Sequence, residues 1–134
     1  MGGSIGLALR SRGHRVVAWD IDSETLDRCV AMGAADSASR DFAASCVACD
    51  IAVVAVPVAN IAQQVAAALD AGAPVVTDVG SVKAPVVSAV ESLTQRSAYF
   101  VAGHPMAGSE QDGLDGAAAD LFVGATWVLT PTGT

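Results

Sequence analysis

The chain has 134 residues, enough for one modest core and too few for two. Its 52% apolar content argues against disorder, and a formal charge of −7 argues against a nucleic-acid groove, which needs a Lys/Arg surface to displace counterions. No apolar run approaches a membrane span, the N-terminus lacks the charged-then-apolar order of a secretory signal, and three cysteines make no paired framework, so a reducing cytoplasm is the expected setting. In chain order, a helix is expected over Gly3–Arg12, stopped by Gly13, then a strand over Arg15–Trp19. A helix follows over Glu24–Met32, capped by Ser23 and closed by Gly33. The run Ile51–Val56 reads as a strand, and Ile61, Val65 and Leu69 repeat at helical spacing before Gly72. A strand over Pro74–Thr77, a helix carrying Val86, Val90 and Leu93, and strands over Tyr99–Ala102 and Thr126–Thr130 complete the pattern.

The strand runs are nearly continuous in apolar character, as in strands buried on both faces. Their alternation with helices implies an α/β fold with a doubly wound, mostly parallel sheet and right-handed crossovers. Both ends are expected to be truncated. The chain opens directly into a helix, and it closes at Pro131-Thr132-Gly133-Thr134, where another crossover is expected.

Three segments carry chemistry. Gly2-Gly3-Ser4-Ile5-Gly6 leads into a helix, and the next strand ends in Asp20. A glycine-rich turn lets a pyrophosphate approach a helix N-terminus, and an acid after the following strand accepts hydrogen bonds from a ribose. Gly2 fits the third glycine of G-x-G-x-x-G, although the same residues also suit an ordinary helix start. Ile21, not an arginine, follows Asp20, which favours NAD over NADP.

The second segment, Thr77-Asp78-Val79-Gly80-Ser81-Val82-Lys83, stands at the C-terminal end of a strand, the edge where ligands of open α/β sheets bind. Its hydroxyl and ammonium can meet an anion. Equally, Ser81 can cap a helix with Pro85 in its first turn. The third is Ala102-Gly103-His104-Pro105-Met106-Ala107-Gly108-Ser109-Glu110, which places His104 in a loop at the same sheet edge. Such a histidine suits general-base work near neutrality, or is simply solvated.

Together these segments resemble the prephenate/arogenate dehydrogenase family. The likeness runs through GGSIGLALR, VVAWDID, DIAVVAVPV, VTDVGSVK, FVAGHPMAGSEQDG and LFVGATWVLTPT, nearly the whole chain. It implies a partial NAD(P)-binding Rossmann-like domain over residues 1–134, taken from an oxidoreductase of tyrosine biosynthesis. By that resemblance His104 is the catalytic residue that hydrogen-bonds the substrate ring hydroxyl, and Ser81 orients it and touches the cofactor side. Ser109 and Glu110 line the substrate pocket, together with His104. Gly2, Gly3 and Ser4 end the pyrophosphate turn, Asp20 meets the ribose, and Val56, Pro57 and Val58 pass along the cofactor. Lys83 supplies local positive charge.

The implied reaction is NAD-dependent oxidative decarboxylation of prephenate to 4-hydroxyphenylpyruvate, or of arogenate to tyrosine. The family's first strand lies centrally, between the strands Arg15–Trp19 and Ile51–Val56, and its helical C-terminal domain forms the homodimer and supplies an arginine for the substrate carboxylate. Neither is found in these residues, so activity is expected of a longer chain and little of this one. The other readings are a β-hydroxyacid dehydrogenase, disfavoured by G-H-P-M-A-G-S-E, and a catalytically silent dinucleotide-binding fragment. No metal is expected. Cys46-Val47-Ala48-Cys49 is a lone C-x-x-C before a buried strand and cannot complete a four-ligand site. Cys29 fits a buried helix face with Leu26 and Met32, His14 a solvated turn, Trp19 and Trp127 the core, and Asp112, Asp115 and Asp120 a solvated face.

Overall fold

The computed structural model describes residues 1–131. Thr132, Gly133 and Thr134, which were expected to lead into a further crossover, lie outside the described residues. The chain divides into two compact units, one of Met1–Phe42 with Ala107–Thr126, the other of Ala43–Met106 with the strand from Trp127.

The first unit holds α1 (Gly2–Ser11), β1 (Val17–Ala18), α2 (Ser23–Ala31) and β2 (Ser37–Ala38). β1 and β2 form a parallel pair in which Val17 faces Ser37 and Ala18 faces Ala38. The sequence offered little sign of β2, because a two-residue strand of Ser and Ala has no periodicity to read. α2 is capped by Asp22 rather than Ser23. The Asp22 carboxylate accepts from the Glu24 and Thr25 N–H groups at 3.3 and 3.2 Å and from the Thr25 hydroxyl at 2.6 Å. Two acceptor oxygens and a negative charge at a helix N-terminus make aspartate the better cap here. Leu26 is buried on α2, but Cys29 is half-buried and Met32 exposed. Trp19 is half-buried, packed at 4.8 Å between centroids on the Phe42 ring. Gly6 is required by close packing, since a Cβ there would strike the Ala34 carbonyl.

The second unit holds most of α3 (Phe42–Ala48), then β3 (Ala52–Val54), α4 (Val58–Asp70), β4 (Val76–Asp78), α5 (Ala84–Leu93), β5 (Phe100–Pro105) and β6 (Trp127–Pro131). The sheet order is β3-β4-β5-β6, parallel except for β6, which runs antiparallel to β5. The α/β architecture thus follows the expectation, with β6 as its antiparallel edge. α4 packs on β3 and β4 and against α5, so Ile61, Val65, Leu69, Val76, Val90, Phe100 and Ala102 are fully enclosed. Burial on both faces, however, does not hold for every strand. Val17 is 45% and Val53 38% exposed, all of β6 is exposed, and Trp127 therefore lies outside the core. Each of these belongs to a strand at a sheet edge. Leu93 is exposed because α5 ends on it.

Glycine stops α1, α2 and α4 as expected. At each stop the residue after the glycine donates to the carbonyl five positions back while the glycine donates to the carbonyl three before it, for example Ala34 N–H to Cys29 O at 2.9 Å and Gly33 N–H to Val30 O at 3.1 Å. At the end of α4, Arg96 donates to the Leu69 carbonyl and to the Ala73 carbonyl at 3.3 Å, and the Thr94 hydroxyl donates to Asp70. A cation at the negative end of the α4 dipole is favourably placed.

Candidate functional site

His104 sits in a strand, not a loop. β5 runs on to Pro105 because β6 pairs along it, with His104 opposite Val128 and Pro105 opposite Trp127. Pro105 is tolerated as the last strand residue, where a missing N–H costs least. Side chains alternate across a strand, so Phe100, Ala102 and His104 share one face of β5. The register of Val76 with Phe100 puts Val76 and Asp78 on that same face of β4. His104 is therefore half-buried at the C-terminal end of the parallel strands, beyond a fully enclosed Asp78.

Asp78 is the centre of this corner. Its Oδ1 accepts from the Gly103 N–H at 3.0 Å, and its Oδ2 accepts from the Gly80 N–H at 2.9 Å and from the Lys83 ammonium. Lys83 also donates to the Gly103 carbonyl at 2.7 Å, and its side chain is 15% exposed. This corrects the reading of Lys83 as charge offered to an anion: the ammonium is held by a buried carboxylate. It also explains why Ser81 is no cap. Asp78 and Gly80 close an Asx turn, Lys83 is drawn back toward the sheet, and α5 begins only at Ala84, with Pro85 in its first turn. Ser81 is left exposed in the connection between β4 and α5. The sequence reading missed Asp78 and Gly103 as a working pair, although an acid at a strand's end with a lysine five residues on was the available signal.

Val56 is half-buried, while Pro57, the residue before α4, and Val58 are exposed, all at the same end of the sheet as His104. In the other unit, Gly2, Gly3 and Ser4 form the first turn of α1, which carries no acidic side chain. The first N–H groups of a helix lack intrahelical partners and favour an anion. Ser4 is buried and its hydroxyl accepts from the Ala118 N–H at 3.0 Å, so only its backbone faces that role. Asp20 is exposed two residues past β1, its Oδ1 accepting from the Asp22 N–H at 2.9 Å, and Ile21 is 90% exposed. The donors of the α1 turn and an exposed carboxylate after β1 fit the pyrophosphate and ribose of a dinucleotide. Ser109 and Glu110 are exposed in the same unit, with Ser109 Oγ accepting from the Gln111 N–H at 3.1 Å. His14 is exposed, as are Asp112, Asp115 and Asp120, and Asp115 pairs with Arg28 at 2.6 Å.

The remaining groups are simpler. Cys29, Cys46 and Cys49 are free thiols. Burial raises all three above the ordinary thiol range, with Asp20 adding to the effect at Cys29, the neighbouring Cys49 at Cys46, and Asp50 at Cys49. Among the described residues no group of three or more His, Cys, Asp or Glu side chains could hold a metal, and no helix is long and apolar enough to cross a membrane.

A parallel-stranded α/β fold with a glycine-rich helix start, an acid after the next strand and polar groups at the C-terminal strand ends defines a nucleotide-binding dehydrogenase domain. The family model for the prephenate dehydrogenase nucleotide-binding domain matches residues 5–134, and the chain belongs to that family. It is 32% identical to the prephenate dehydrogenase of Bacillus subtilis (strain 168) over 136 residues, which cover 98% of this chain and 37% of that protein. Among solved structures it is similar to Synechocystis arogenate dehydrogenase, with a TM-score of 0.86 and 32% identity over 97% of this chain and 46% of that one. It is equally close to prephenate dehydrogenase from A. aeolicus in complex with hydroxyphenyl propionate and NAD+, with a TM-score of 0.85 and 31% identity over 98% of this chain and 47% of that one. The chain thus spans less than half the length of these relatives.

Proposed function

We propose that this chain is the cofactor-binding part of an NAD-dependent dehydrogenase that converts prephenate to 4-hydroxyphenylpyruvate in tyrosine biosynthesis, in the cytoplasm. The observation that carries the reading is His104 at the C-terminal end of β5, beside the end of β4, within a family of this activity. The α1 turn of Gly2, Gly3 and the Ser4 backbone holds the pyrophosphate, Asp20 the ribose, and Val56, Pro57 and Val58 flank the cofactor. With Ile21 after Asp20, no cation stands next in sequence for a 2′-phosphate, which favours NAD over NADP.

Bound NAD+ supplies the hydride acceptor. His104 takes the proton of the substrate ring hydroxyl at an imidazole nitrogen as that carbon gives up its hydride. The carboxylate on the opposite carbon leaves as CO2, its bonding pair aromatises the ring, and the proton held by His104 returns to the phenolate oxygen. Ser81 orients the imidazole, and Ser109 and Glu110 contact the substrate. A positioned base contributes about 10²–10⁴ in rate. In the full-length enzyme, His104→Asn should lower kcat by at least about 100-fold with NAD+ affinity unchanged. A near wild-type kcat overturns the assignment.

Arogenate is the second reading, favoured by the equally close Synechocystis structure. The two substrates share the ring and differ in a keto against an amino side chain, so kcat/KM measured side by side separates them.

A further inference from the structure

Beyond His104 and Ser81, the second unit contains a device that the proposed chemistry has not yet used. Gly103, the residue before His104, is gripped by both of its backbone polar groups. Its N–H donates to Asp78 Oδ1 at 3.0 Å and its C=O accepts from Lys83 Nζ at 2.7 Å. Asp78 and Lys83 are themselves an ion pair, with the Asp78 side chain fully enclosed. The strand-to-strand register between β4 and β5 runs only through Val76–Phe100 and Thr77–Val101. At Gly103 two charged side chains from the β4 end take over the ladder's role. The fit leaves no slack, since a Cβ on Gly103 would lie 2.6 Å from the Asp78 carbonyl oxygen and 2.9 Å from Trp127 Nε1.

We propose that the Asp78–Lys83 pair is a positioning device for His104: by clamping the preceding peptide from β4, it sets where the imidazole stands against the substrate. The inference rests on His104 being the base. Charge-assisted bonds are shorter and stronger than neutral ones, so the pair holds the strand end more tightly than a ladder bond would. A displacement of about 1 Å in a reacting group costs on the order of 100-fold in rate. A pair that merely supported the fold would not act through the imidazole.

The test is a cycle of Lys83→Met, His104→Asn and the double variant in the full-length enzyme, with Lys83→Arg as the conservative variant. Expected is a fall in kcat of about 10- to 100-fold for Lys83→Met with NAD+ affinity and substrate KM near wild type. Lys83→Arg should recover part of the loss. In the His104→Asn background, Lys83→Met should lower kcat no further. The Gly103 amide should exchange faster and the His104 ring resonances should shift in Lys83→Met. An equal fall in both backgrounds, or a fall that tracks lost thermal stability while the His104 resonances stay put, overturns the positioning role. Should Lys83→Met fail to fold, Lys83→Arg carries the cycle: unchanged kcat with a displaced Gly103 amide signal overturns the proposal. A wild-type kcat in His104→Asn alone instead removes the proposed function, a separate outcome.

Discussion

Lys83 is one of only seven basic residues in the chain, and it spends its charge inward. The motif Asp78-Val79-Gly80-Ser81-Val82-Lys83 was legible as a charged turn at a strand end, but which group the ammonium meets depends on a carboxylate five residues back and a carbonyl twenty residues on. Removing one member of a buried pair leaves an uncompensated charge, a cost of about 3–5 kcal/mol. Asp78→Ala should therefore destabilise the second unit more than an exposed carboxylate change such as Asp112→Ala, as read by urea titration. The free thiols Cys46 and Cys49 are pushed up chiefly by burial, so at neutral pH they stay protonated and slow to react. Iodoacetamide should label them slowly in the native chain and quickly in urea, and fast native labelling would contradict that.

Among the elements, one carboxylate in the first unit is a junction of three segments. Asp36 accepts from the Val16 N–H at 2.8 Å and pairs with Arg10, which also donates to the Gly33 carbonyl at 2.7 Å, so β1, α1 and the end of α2 meet there. The Val16 N–H, then the nearby Arg10 charge, hold the Asp36 carboxyl below its ordinary range. Its folded value lies below the unfolded one, so its contribution is present above the unfolded carboxylate range and disappears as pH falls through the folded value. Asp36→Asn should lower stability at pH 7 and flatten its decline as pH falls through and below the ordinary carboxylate range. Parallel stability-against-pH curves for variant and wild type refute the linkage. In the second unit, Phe100 is the largest wholly enclosed side chain, and Phe100→Ala should cost about 3–5 kcal/mol by denaturant unfolding. Helices and their glycine stops were legible because caps and periodicity are local. The starts of α2 and α5 were not, since Asp22 and the Asp78–Lys83 tether compete with the serines for the same turn.

At the scale of the molecule, family membership and length together frame the activity. The chain covers 37% of its Bacillus subtilis relative, and the proposed substrate carboxylate has no arginine assigned to it here. We expect the 134 residues alone to form little NADH from prephenate, and robust turnover by the purified chain would refute this. The α/β class and the strand–helix rhythm were readable from residues because they follow from local hydrophobic period, and so was the placement of Ser81 and His104 at the C-terminal ends of parallel strands. Folding settled what depends on partners distant in sequence. β6 turned antiparallel and drew His104 out of a loop into β5. The exposed faces of Val17, Val53 and Trp127 mark sheet edges that periodicity cannot distinguish from interiors. The charge of Lys83 became a clamp because a strand pairing brought Gly103 within reach of Asp78, and no local pattern encodes a contact made across twenty-five residues.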